Sequence, residues 1–416
     1  MYINHSNGLA YHSSKKLVYQ VLVLCLLITW TKTAYAIEEK CQEKAFIFDR
    51  YGSPHSFASI ILSSRALCDE AKNGFSYSYY AQHGIWGRVT TTALNTVFNK
   101  LLGVINHEVY RHGFRLRSFR VPCSYSIMAW GLRGGATHYF LFNRSLSADE
   151  QLLITIGGCE ANSILAQQLL FKNFRNLSLD RGTCGLLWNA YSNLPRYILS
   201  TYTSQKIRNL PGNDVVNYIE EINHKHNAAC IDIDMLAKGT LVFLLNLILY
   251  VSVWAYWDYL RTGRDTAVIP HAVLGHVNYM PLVRMGLTPF GLMYYIDNYL
   301  GHGNKVFLVS ISGGRSPYYT QGYGGIQVQT DRLWTYKNYS LDVVGNLWYQ
   351  PKMQQKIGDA IEDRNYWGGM VGIENKLKLG KLISLHTSIL YKDVGFTEGI
   401  VTNRGAFVRT GFSLHY

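Results

Sequence analysis

The sequence predicts an α+β chain: a helical N-terminal domain followed by a C-terminal antiparallel transmembrane β-barrel of about eight strands. Three observations lead there. Apolar residues recur at helical spacing within 37–236, apolar and polar residues alternate with period two from 273 to the end, and every cysteine lies before residue 231. A helix repeats every 3.6 residues and a strand every two, so a switch of period marks a switch of architecture.

Residues 1–36 have the anatomy of an export signal. Lys15 and Lys16 supply the positive end, LVYQVLVLCLLITW (17–30) the apolar run, and Ala34-Tyr35-Ala36 the small-x-small cleavage site. A permanent anchor is the alternative; the short apolar run and the A-x-A favour cleavage. Cleavage removes three lysines and no acids, so the formal charge falls from +13 to +10. The remaining Lys and Arg are scattered rather than interleaved with stacking aromatics, which argues against a nucleic-acid partner. A basic surface facing anionic lipid accounts for the excess. Cys25 leaves with the signal, and Cys41, Cys68, Cys123, Cys159, Cys184 and Cys230 remain. An even set in an exported chain permits disulfides. No C-x-x-C spacing occurs, which argues against zinc-ribbon and thioredoxin chemistry.

Leu94, Val97, Phe98, Leu101, Leu102 and Ile105 lie at helical spacing, which places His107, Glu108 and His112 near the end of a long helix with Gly113 as its terminator. Ser147-Ala148-Asp149-Glu150 is a capping-box pattern opening a second helix. That helix continues through LLITIGGCEANSILAQQLLF, with an interruption expected at Gly157-Gly158 and Glu160 just beyond it.

INHEVYRHGF (105–114) nearly spells His-Glu-x-x-His, but its second His comes one residue late. Each residue of an α-helix turns roughly 100°, so His107 and His112 would stand about 140° apart, too far for one small ion. A π-bulge widens the turn and would bring them together. Without one, Glu108 and His112 form the i,i+4 pair.

HEVYRH, followed 48 residues later by GGCEAN, is similar to the layout of gluzincin-type zinc metallopeptidases. The resemblance implies His107, His112 and Glu160 as zinc ligands, Glu108 as the catalytic base toward metal-bound water, and peptide-bond hydrolysis. The chain departs from that family in the extra residue and in carrying Ser163-Ile164-Leu165 where an acid usually follows the ligand Glu. The alternatives are a solvated, mutually paired patch at a helix end or a structural metal site, with Glu160 an acid favoured by a helix dipole. His271 and His276 repeat the five-residue separation and either add a ligand or line the mouth of the β region.

Residues 237–262 read as an apolar helix. Within it GTLVFLLNLILYVSVWAYW (239–257) carries no formal charge over 19 residues, which taken alone is a transmembrane signal. It is either a buried helix packed on the N-terminal domain, a helix lying along a membrane, or the span of an inner-membrane protein. Asn246 and the polar WDYLRTGRD flank favour the first two.

Strands are expected near 273–286, 288–300, 304–313, 322–335, 339–351, 367–379, 381–393 and 404–416, with a polar insert at 353–364. Leu341, Val343, Gly345, Leu347 and Tyr349 alternate with Ser340, Asp342, Val344, Asn346 and Trp348, one face apolar and the other mostly polar, the pattern of a ribbon between two media. The terminal RTGFSLHY resembles the C-terminal insertion signal of Gram-negative outer-membrane barrels, polar-x-Gly-x-x-apolar-x-aromatic. The resemblance implies an outer-membrane location over 273–416, with outer-membrane lipid and the barrel-assembly machinery as partners and the domain 37–236 in the periplasm. The expectation for function is therefore an outer-membrane protein with a zinc-dependent, peptidase-like hydrolase site and a peptide substrate. A non-catalytic envelope anchor and an inner-membrane protein with a β domain are the competing classes.

Overall fold

The computed structural model describes residues 44–74, 84–128, 134–142, 145–353 and 365–415. The expected export signal, Cys41, the side chain of Cys68 and 354–364 of the polar insert lie outside the described residues. The chain opens with strand β1 (Lys44–Asp49) and helices α1 (Pro54–Gly74) and α2 (Ile85–His107). A π-turn (Glu108–His112) joins α2 to α3 (Gly113–Ser118), and the hairpin β2 (Cys123–Ile127) and β3 (Gly135–Tyr139) follows. Next come α4 (Ala148–Phe174), β4 (Ser178–Asp180), α5 (Arg181–Thr203), α6 (Gln205–Arg208), α7 (Asp214–Lys225) and α8 (Ile233–Gly239). A 3-10 turn (Thr240–Leu245) leads into α9 (Leu247–Thr262), then β5 (Thr266–Val268) and β6 (Ala272–Leu274). The long strands are β7 (Val277–Thr288), β8 (Gly291–His302), β9 (Lys305–Gly314), β10 (Tyr323–Asp331), β12 (Tyr339–Pro351), β13 (Asn365–Lys378), β14 (Ile383–Lys392) and β15 (Gly405–Leu414), with a short β11 (Trp334–Tyr336).

All sheet pairings are antiparallel, in the order β1-β15-β14-β13-β12-β10-β9-β8-β7-β6, with β11 on β12. Successive strands are neighbours because their connections are short. The β8–β9 hairpin turns on Gly303-Asn304 alone, and Gly303 takes φ +56°, a left-handed conformation that a side chain would strain.

The transmembrane β-barrel of about eight strands expected over 273–416 is not what this chain builds. The sheet has eleven strands and stays open, with edges at β1 and β6. One reason is space: an eight-stranded barrel has an interior just wide enough for side chains. Here a whole helix, α4, lies against the sheet. Gln167 donates to Asp297 at 3.2 Å, Gln168 to Gln329 at 3.0 Å, and Arg284 to Ser163 Oγ at 2.8 Å. A second reason is that both ends of the run of long strands, β15 and β7, have other partners. β1, from the N-terminal half, pairs with β15 from Lys44↔Leu414 to Asp49↔Arg409. On β7 the Val283 N–H donates to Asn246 Oδ1 at 2.9 Å, and its carbonyl accepts from Tyr191 Oη at 2.6 Å. Edge groups satisfied in this way have no need of a closing strand.

Helices and strands share their cores. One cluster joins Leu152, Leu153 and Ile156 of α4 to Met285, Leu287 and Leu292; another joins Leu165, Leu169 and Phe171 to Met280, Leu282 and Leu308. Each such side chain contributes roughly 1.5–3 kcal/mol by leaving water. α4 is uninterrupted at Gly157-Gly158 and opens with the expected box: Glu150 N–H donates to Ser147 Oγ at 3.2 Å, and Ser147 N–H to Glu150 Oε2 at 2.9 Å.

The apolar segment 237–262 is broken rather than continuous. Asn246, in an extended conformation, separates the 3-10 turn from α9, and the pieces Ile233–Leu245 and Leu247–Thr262 meet at 65°. At this break the Asn246 side chain accepts from the Val283 N–H of β7 at 2.9 Å. Among the described residues no single helix is long and apolar enough to cross a membrane, though this bent pair is, by length and composition. Cys123, Cys159, Cys184 and Cys230 are free thiols.

Candidate metal centre

The extra residue between His107 and His112 is absorbed by the backbone. Glu108–His112 forms a π-turn, closed by the Gly113 N–H donating to the Glu108 carbonyl. That wider loop brings the two imidazoles onto one side, with Nε2 atoms 3.3 Å apart and rings edge-to-face at 5.1 Å.

The third member comes from far along the chain. Asp214 opens α7, where Asn213 caps the helix by accepting from Val215 and Val216 N–H. The helix N-terminus favours its negative charge. Asp214 Oδ2 lies 3.1 Å from His107 Nε2 and 3.5 Å from His112 Nε2. The Asp214 N–H donates to Tyr197 Oη at 3.0 Å, which locks the start of the helix in place. His107, His112 and Asp214 are the group among the described residues whose donor atoms could hold a metal ion.

The spacing suits a small ion. Tetrahedral zinc with bonds of about 2.0–2.1 Å sets its ligand atoms about 3.3 Å apart. The observed edges of 3.1, 3.3 and 3.5 Å bracket that value. Orientation agrees. The Ile154 carbonyl can only accept, so the His112 Nδ1–H donates to it at 2.7 Å and Nε2 turns its lone pair toward the cluster. This is the second contact that metal-binding histidines usually make. Room for an ion comes from Gly158 on α4. A Cβ there would stand 2.7 Å from both His107 Nε2 and Asp214 Oδ2, so the glycine leaves the face of the triangle clear.

Electrostatics bind His112 to Asp214, while burial, with the Arg111 charge, lowers the pKa of His107 despite Asp214. Burial works against the His112 imidazolium, but the Asp214 carboxylate beside it wins and raises its pKa. Burial likewise opposes the Asp214 charge, and the two imidazoles outweigh it, holding the carboxyl well below its ordinary value. The fully buried Arg111 places Nη1 3.4 Å from His107 Nδ1, and burial brings its own pKa down to about 9. Its charge opposes a dication, with Asp214 and Glu108 as the countering acids.

The sequence-predicted residues divide. His107 and His112 come together. Glu108 is buried beside them on the π-turn, and its Oε2 accepts from the Thr137 hydroxyl of β3 at 2.8 Å. Glu160 is engaged elsewhere: Arg115, itself fully buried, grips both its oxygens, and the Gly399 N–H donates to Oε1 at 2.6 Å. His271 and His276 stay in the turns before β7, where the His271 ring bonds the Ile269 carbonyl at 2.8 Å. Asp214 was not singled out from the sequence; its signal was the Asn-Asp pair of a helix start in PGNDVVNYIEE, which carries no hint of two distant histidines.

Two turns along α7 from Asp214 lies Glu221. Its Oε1 accepts from the Thr155 hydroxyl at 3.0 Å, while Oε2 is buried without a partner. Burial, aided by the charges of Asp214 and Glu220, pushes its pKa up to about 7 from 4.5, with the Thr155 bond opposing. A carboxyl raised on folding costs nothing below its unfolded pKa and costs the full amount above its folded one. Glu221→Gln is therefore expected to stabilise the protein by about 3 kcal/mol well above pH 7 and by nothing near pH 4. Urea midpoints at the two extremes check this, and an equal gain at both would refute it.

No known family, curated protein or solved structure matches this chain.

Proposed function

We propose that the chain is a metal-dependent hydrolase carried in the outer membrane of a Gram-negative cell, with zinc held by His107, His112 and Asp214. The observation that carries this reading is the triangle of donor atoms at tetrahedral edge lengths, facing the gap left by Gly158. Three protein ligands leave a fourth position for water, the arrangement of catalytic rather than structural zinc. Bound there, the ion would lower the pKa of that water and polarise a carbonyl. Glu108, adjacent to His107 and steadied by Thr137, is the residue of this chain proposed to take the proton. Peptide bonds are the proposed substrate, on the strength of the HEVYRH resemblance. The outer-membrane placement rests on the resemblance of RTGFSLHY alone.

Metal analysis of the purified full chain after zinc loading tests the centre. Wild type is expected to hold one zinc per chain, and His112→Ala and Asp214→Asn to weaken binding at least about 100-fold. Glu160→Gln is expected to leave zinc content unchanged, because that carboxylate is committed to Arg115. A wild type that binds no zinc, or a His112→Ala chain that binds as well as wild type, removes the proposal.

A further inference from the structure

The outer surface of this molecule has the wrong polarity for water. On β14, Ile383, Leu385, Ile389 and Tyr391 are exposed, while the alternate residues Ser384, Ser388 and Lys392 are buried. Neighbouring strands repeat the pattern, with Trp367 and Val371 exposed on β13 and Val408 on β15. The helices are inverted too. α2 exposes Trp86 and Leu94 and buries Thr91, Asn95, Asn99 and Asn106. α9 exposes Val253, Trp254 and Trp257 and buries Ser252 and Asp258. Exposing aromatics while burying amides works against folding in water on both counts, and in favour of it when the outer medium is hydrocarbon.

These faces join. The 3-10 turn Thr240–Leu245 packs on β7, the edge region of the sheet, and α9 beyond it packs on α2. Leu241 and Leu244 of that turn are exposed, so the apolar surface carries on from sheet to helix. One rim of the sheet is also basic. The turns β8–β9, β10–β12 and β13–β14 open on the same rim because alternate hairpins of an antiparallel sheet share a side. They carry Lys305, Lys337, Lys378 and Lys381 with exposed Trp334 and Tyr336, against one acid, Asp331 at the end of β10, which faces Lys172 and Arg175. Basic and aromatic residues at the border of an apolar band match a headgroup layer with negative charge.

We propose that the outer face of the sheet and the outward faces of α2 and α9 form one lipid-facing wall, in which helices take the place of the missing strands. Its occupant is bilayer hydrocarbon, with anionic headgroups at the Lys337–Lys381 rim. The proposal takes from the outer-membrane placement only the identity of the bilayer, and owes nothing to the metal centre.

The test reconstitutes the full chain into phosphatidylcholine–phosphatidylglycerol vesicles whose acyl chains carry bromine, and follows quenching of tryptophan emission. Wild type is expected to float with the vesicles and to be quenched. Trp367→Phe on the sheet, and Trp254→Phe with Trp257→Phe on α9, should each remove part of the quenchable emission. Leu385→Arg and Val253→Arg are expected to lower the vesicle partition constant about 30-fold or more. Wild type that remains in the aqueous phase, or bound protein whose emission bromine leaves unchanged, overturns the proposal. So does quenching that only Trp367→Phe reduces, since the helices would then face something other than lipid. Zinc content of the same vesicles is read separately, so a lipid failure with zinc retained leaves the hydrolase reading standing.

Discussion

Arg284→Ala is expected to cost about 3–5 kcal/mol of stability, the range for breaking a buried ion pair by removing one partner. Arg284 is almost fully buried on β7. Its Nε donates to Asp297 Oδ2 of β8 at 2.6 Å, and its Nη1 donates to Glu398 Oε2 at 2.6 Å and to Ser163 Oγ of α4 at 2.8 Å. The guanidinium also stands 3.8 Å from the Tyr295 ring centroid. One side chain therefore ties two strands, the β14–β15 connection and the central helix. Alanine would leave two carboxylates buried against each other with no cation. The loss should shrink in a chain that also carries Asp297→Asn and Glu398→Gln, because the remaining groups would then be neutral. Urea unfolding of the three variants checks it. A cost below about 1 kcal/mol for Arg284→Ala, the level of a surface pair, would show that the network contributes little.

Gly158→Ala is expected to abolish zinc binding while keeping all three proposed ligands, a loss of at least about 100-fold in affinity comparable to deleting a ligand's support. In an ordinary helix interior this change gains about 1 kcal/mol, because alanine loses less conformational entropy than glycine. Here the new methyl would stand 2.7 Å from His107 Nε2, His107 Cε1 and Asp214 Oδ2. Real Cβ atoms do not approach so closely, so the methyl displaces the donors or the ion. Gly103→Ala on α2 is the control, since a Cβ there meets nothing within 4 Å and should leave zinc affinity unchanged. Zinc titration of both variants decides the matter: a Gly158→Ala chain that binds zinc as tightly as wild type would move the ion off this triangle.

Much of the local structure was readable from neighbouring residues. β12 occupies Tyr339–Pro351, where alternation placed a strand, and the Ser147–Glu150 box does open α4. Both depend on interactions within a few residues, which the chain states directly. The π-turn at Glu108–His112 was foreseeable only as a condition, since nothing local chooses between an α-turn and a π-turn. Gly157-Gly158 read as a break because glycine lowers helix propensity. In the fold the pair stays helical, packed so closely that a Cβ at Gly157 would touch the Arg111 carbonyl at 3.3 Å.

Glu160 shows the limit of motif spacing. Its distance along the chain suited a ligand, yet Arg115, on the helix that follows the π-turn, pairs with it and neutralises it. Asp214 took a place in the cluster that spacing could not suggest, because α7 is delivered there by packing against α4. The two-faced strands and the helix starts follow from the order of residues, since period and capping act over a few positions. Whether the sheet closes, which acid meets the histidines and which face is left outward were decided in three dimensions. Those outcomes turn on which distant groups win a contact: α4 fills the sheet, Asn246 and Tyr191 satisfy its edge, and Arg115 claims Glu160.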